Sequence, residues 1–141
     1  MWKRSFYLLV FLAIVLAVSN CDGFDNSSVR LNEEFSLSIG QRAFIAGENL
    51  EVKFKEVTED SRCPSGVTCV WEGRVTCVVE LTQAGVSNQM SLTEPGLTDE
   101  YSRERYQGYE FAFHVTPYPE AGKNIPADKY RLYLIVAKLS D

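Results

Sequence analysis

The sequence predicts an all-β domain, an antiparallel β-sandwich (immunoglobulin-like or related) of about seven strands, behind an N-terminal signal segment. Three observations carry this reading. From Phe35 onward the apolar residues recur at every second position, which puts alternate side chains on opposite faces of a strand. These runs are rich in Val, Ile, Thr, Tyr and Phe, residues that suit a pleated, half-buried surface. Turn residues interrupt the runs at short intervals, and no window after the leader shows a strong helical period; many short strands at such spacing are the pattern of a sandwich or barrel.

Residues 1–21 form the first element. Lys3 and Arg4 precede an uncharged run of 13 residues, Phe6–Val18, which is followed by Ser19-Asn20. This is the layout of an export signal. A helix of that length spans roughly 20 Å, short of the ~30 Å hydrocarbon core, so a membrane span is the poorer reading. Val18-Ser19-Asn20-Cys21 resembles the bacterial lipobox, in which the leader is cut just before a Cys that then carries lipid. The resemblance implies lipidation of Cys21, although Asn20 stands where the pattern usually has a smaller residue. The rival reading is ordinary cleavage between residues 20 and 24. Two or three acyl chains would hold the protein to a membrane, since each buried CH₂ contributes ~0.8 kcal/mol. Residues 22–33 then read as a polar tether and residues 34–141 as the sandwich domain.

The strands follow. Leu50, Val52 and Phe54 alternate with Glu51, Lys53 and Lys55, so this strand should have one face in water. Val75, Cys77, Val79 and Leu81 share a face, and Val78 adds an apolar residue to the other. Tyr109, Phe111, Phe113 and Val115 form a third row, and Tyr130, Leu132, Leu134 and Val136 a fourth, with Tyr133 and Ile135 opposite. Strands apolar on both faces are usually central and covered on both sides. Ala84-Gly85 between two runs predicts a hairpin, Glu94–Arg105 reads as a charged connector, and Pro117–Asp128 as a long loop.

The most specific stretch is Asp60-Ser61-Arg62-Cys63-Pro64-Ser65-Gly66-Val67-Thr68-Cys69-Val70-Trp71-Glu72-Gly73. In an oxidising compartment Cys63 and Cys69 should pair. Closing so short a loop stabilises by about 2.4 kcal/mol in the chain-entropy account. Five residues lie between the two cysteines, which argues against a redox C-x-x-C site. A metal set of Cys63, Cys69, Cys77 and His114 would need reduced thiols outside the cytoplasm. Cys77 reads as a small buried hydrophobe. Trp71 is expected to pack over the disulfide in the core, the alternative being an exposed binding anchor. The candidate recognition loop comprises Arg62, Pro64, Ser65, Gly66, Val67 and Trp71.

The string Asp60-Ser61-Arg62-Cys63-Pro64 followed by Cys69-x-Trp71-x-Gly73 resembles a motif in a family of short exported bacterial proteins, many of them apparent lipoproteins. Thr116-Pro117-Tyr118-Pro119 and Ile125-Pro126-x-x-x-Tyr130 are similar to the C-terminal half of that family, so the resemblance spans roughly residues 33 to 139. It implies a secreted β domain and brings no activity and no catalytic residue with it.

Composition narrows the function classes. The chain has 141 residues and one histidine, His114, so no His-His zinc site and no HExxH peptidase is available. Removing the leader leaves 12 Lys+Arg against 19 Asp+Glu, a balance of −7, the wrong sign for nucleic acid. No nucleophile motif accompanies His114, and the acidic residues match no calcium loop. The sequence therefore assigns no catalytic residue, metal or cofactor. It points to an envelope protein, membrane-anchored on the extracytoplasmic side or secreted. The module is read as non-enzymatic, presenting the stapled loop to an unknown envelope protein. A secreted peptidase inhibitor, or a metal-binding protein, is the alternative.

Overall fold

The computed structural model describes residues 26–140. The leader, Cys21 and residues 22–25 lie outside the described residues. Nine strands follow in order: β1 (Asn26–Val29), β2 (Glu34–Ser38), β3 (Arg42–Ile45), β4 (Leu50–Asp60), β5 (Arg74–Gln83), β6 (Val86–Pro95), β7 (Ser102–Tyr106), β8 (Tyr109–Thr116) and β9 (Arg131–Lys138). They build two sheets, ordered β1-β3-β4-β5-β6 and β2-β9-β8-β7. The all-β sandwich read from the alternation is the observed architecture, with nine strands rather than seven.

The extra strands arise where side-chain pattern is weak. Asn26–Val29, read as tether, pairs in parallel with β3. Ser102–Tyr106, inside the stretch read as charged connector, pairs with β8. Both are short edge strands whose pairing rests on backbone hydrogen bonds rather than an apolar face.

The inner faces are the predicted rows. Val52, Phe54, Val75, Cys77, Val79, Leu92, Phe111, Phe113, Leu132, Leu134 and Val136 are all nearly or fully buried. The Ala84-Gly85 turn joins β5 to β6 as expected, both residues having positive φ (49° and 81°), the backbone that matches strand twist in a two-residue hairpin. β5 and β9 are central in their sheets, but they are not covered on both sides: Val78, Tyr133 and Ile135 are half-exposed on the outer faces. A two-layer sandwich has no third layer to cover them.

β4 departs from strict alternation in a way that builds the site. Its register against β5 shifts between Phe54 and Glu56 and again between Val57 and Glu59. Each bulge inserts a residue and changes which parity faces inward. The inner residues opposite Val79, Cys77 and Val75 are therefore Phe54, Val57 and Asp60. A carboxylate thus ends the inner row of β4, level with Val75 and, across β6, with Glu94.

Candidate functional site

The end of the sandwich at Asp60 carries a buried polar clasp and, above it, an exposed loop. β8 shows why the clasp exists. β7 begins at Ser102, which pairs with Phe113, so Val115, two residues further along β8, has no strand neighbour on that side. Its N–H is taken by Glu94 Oε2 at 2.8 Å, and its carbonyl accepts from Arg62 Nη1 at 2.8 Å. Two side chains from the opposite sheet and its loop thus replace the missing strand.

Arg62 is saturated by this arrangement. Nε and Nη2 donate to the two oxygens of Asp60 at 2.8 and 2.7 Å, and Nη2 also donates to the Pro117 carbonyl at 2.9 Å. Its guanidinium lies 5.1 Å from the Tyr118 ring centroid, within cation–π range. Tyr118 in turn donates to the Cys63 carbonyl at 2.8 Å, and Tyr130 to Asp60 Oδ2 at 3.0 Å. Burial, and after it the bond to Asp60, pushes the Tyr130 phenol up to about 12. The residues named in the two separate strings above therefore meet: Asp60, Arg62 and Cys63 from one, Pro117, Tyr118 and Tyr130 from the other.

Glu94 has a different balance. It is almost wholly buried. Its second oxygen lies 2.6 Å from His114 Nδ1. Burial raises its pKa, against the opposing effects of the Val115 N–H, His114 and Arg62. His114 sits on the outer side of its row as the alternation indicates, with the Tyr101 ring 6.0 Å away. No group of three or more His, Cys, Asp or Glu able to hold a metal occurs among the described residues. Cys77 does not join the other two cysteines: it is fully buried, and burial, then the charge of Glu94, raises its thiol to about 12.

Above the clasp Cys63 and Cys69 are disulfide-bonded, with Cα atoms 5.9 Å apart. The root of the loop is fixed. Cys63 N–H donates to the Glu72 carbonyl at 2.9 Å, Ser65 N–H to the Pro119 carbonyl at 2.9 Å, and Ala121 N–H to the Ser65 carbonyl at 3.2 Å. Gly66 turns the chain with φ +88°. Beyond it the tip is open: Val67 is 50% exposed, Val70 wholly so and Trp71 62%.

Two sequence expectations change here. Arg62 is not part of a recognition surface, being 3% exposed and spent on the clasp. Trp71 is not in the core. Its assignment there assumed that the face of Val75 and Cys77 continues backward, but β5 starts only at Arg74, and Gly73 (φ +70°) breaks the alternation. A Cβ at Gly73 would overlap the Ser61 carbonyl, so the chain crosses close to β4's end and swings Trp71 outward. Pro64 is half-buried and lines a shallow cleft of about 430 Å³ with Asp60, Arg62 and Tyr130; its charged groups already satisfy each other. Ser65 is exposed as a side chain and used through its backbone.

Sequence reasoning missed Val70 and Leu97. Gly96 N–H donates to the Gly73 carbonyl at 2.9 Å, which sets Leu97, 70% exposed, beside the root of the stapled loop. Val70 carried a signal in retrospect: it is flanked by Cys69 and Trp71 in a run, 63–71, that contains no charge. Leu97 carried none, because its position depends on a contact between loops far apart in sequence. No protein-family model, curated protein or solved structure matches this chain.

Proposed function

We infer that the chain is an exported, lipid-anchored envelope protein, a non-enzymatic module that holds the Cys63–Cys69 loop out as a contact surface. The observation that carries this reading is the contrast between root and tip. The root is pinned by a disulfide, three backbone hydrogen bonds and the Arg62 clasp below it. The tip offers Val67, Val70 and Trp71 to solvent with no charged neighbour between Cys63 and Trp71. A preordered loop loses little conformational entropy on binding, and Trp is a frequent anchor of such contacts. The charge pattern of the leader and Val18-Ser19-Asn20-Cys21 support export and lipidation.

The test has two arms on the full chain. Mass spectrometry of the mature protein is expected to find lipid on Cys21; an unmodified start downstream of Cys21 overturns the anchor. Envelope preparations probed with wild type and a V70S/W71A variant are expected to retain less of the variant. Equal retention, with the variant's fold intact by circular dichroism, overturns the loop as the contact.

A further inference from the structure

We propose that the surface met by the stapled tip is the lipid bilayer itself, so that Val67, Val70, Trp71 and Leu97 seat on the membrane that holds the anchor. This rests on the lipid-anchored reading above.

The first support is directional. β1 runs parallel to β3 with Asn26 opposite Arg42, and Arg42 pairs with Lys53 of β4. From that level β4 and β5 run on to the Asp60–Val75 pair, five residues along β5 from Glu80, or about 17 Å at strand rise. Val29 points the other way, level with Ile45 and Leu50. The chain therefore enters the fold from the side of the stapled loop. Four residues lie between Cys21 and Asn26, so the five chain steps from one to the other reach at most about 18 Å when fully extended. An anchor on that tether comes no further than the level of Asp60 and Val75, while residues 61–72 project past it. The bilayer plane through Cys21 then intersects the tip, unless the domain turns onto the β1 edge, where Ser27 and Ser28 are exposed.

The second support is chemical. Of the seven large hydrophobic residues exposed among the described residues, four (Val67, Val70, Trp71 and Leu97) lie at this end. The tip between Cys63 and Trp71 carries no charge, whereas the mature chain's acidic balance would repel anionic headgroups elsewhere on its surface. An indole ring is at home at headgroup depth, where an apolar body and an N–H donor are both satisfied. A shallow apolar contact adds to the acyl chains and orients the domain rather than leaving it free on its tether.

Trp71 reports its own environment. The chain has two tryptophans, and the other, Trp2, lies in the leader, so the tryptophan emission of the mature chain comes from Trp71 alone. The lipidated mature protein is reconstituted into phosphatidylcholine vesicles with and without brominated phosphatidylcholine. The expected result is emission at shorter wavelength than in detergent-free solution of the unfolded chain, with quenching by the brominated lipid. A V70S/L97S variant, which keeps Trp71, is expected to lose most of that quenching. A lipidated chain whose Trp71 is unquenched overturns the seating and leaves the anchor standing. A mature chain without lipid on Cys21 removes the anchor, and the seating with it. Quenching in native envelope vesicles but not in pure lipid assigns the tip to a protein partner and overturns the proposal. Unchanged quenching in V70S/L97S overturns the assignment of these side chains.

Discussion

Arg62 should be worth more to this fold than any exposed charge, and its replacement tests the account of the clasp. In R62M the apolar stem is retained and the guanidinium is lost. Asp60, with its side chain 10% exposed, keeps only Tyr130 as a strong donor. The carbonyls of Val115 and Pro117 lose their donors. Breaking a buried ion pair from one side costs about 3–5 kcal/mol because the remaining charge is stranded. Each orphaned carbonyl adds to the deficit, so the upper part of that range is expected. For a domain of this size ~4 °C of Tm accompanies each kcal/mol, so a loss of about 4–5 kcal/mol places the fall at roughly 16–20 °C. Urea unfolding of the oxidised protein, followed by circular dichroism, gives the free energy directly. R62K should recover only part of it, since an ammonium cannot hold both Asp60 oxygens and two carbonyls in one plane. A loss below about 1 kcal/mol in R62M, the level of an exposed pair, would show that the clasp is ornamental and refute the reasoning.

Three further outcomes follow from the same geometry. Burial raises the Glu94 carboxyl above its ordinary 4.5, so the folded state binds that proton more tightly than the unfolded chain. Its stabilising contribution is complete below 4.5 and is lost as pH rises through the folded value; the unfolding free energy of wild type minus E94Q should fall with pH across that window, and a flat difference would contradict it. W71A should change stability by no more than about 0.5 kcal/mol, as for other exposed positions, and a loss above ~2 kcal/mol by urea titration would return Trp71 to the core. Native protein with lipid on Cys21 should show no rapidly reacting thiol towards an aromatic disulfide reagent, and a single one after denaturation, because Cys77 is buried with its thiol raised to about 12; fast native labelling would place Cys77 at the surface.

Much of this protein was readable in its residues. Period-two alternation named the inner rows of β4, β5, β8 and β9, because burial of one strand face leaves a direct imprint on side-chain order. The Cys63–Cys69 pair and the burial of Cys77 were legible for a similar reason: the loop is short, and Cys77 shares a row with Val75 and Val79. Tertiary structure decided the rest. Two bulges in β4 turned Asp60 inward, and no side-chain period records an inserted residue. The end of β7 at Ser102 left the Val115 peptide open for Arg62 and Glu94, a backbone vacancy that side-chain order does not encode. Gly73 carried Trp71 off the face that its spacing implied, and contact between the Gly73 and Gly96 loops set Leu97 beside the stapled root. Local patterning specifies which face of a strand is apolar; where strands stop, and what fills the space they leave, is settled only when the two sheets close on each other.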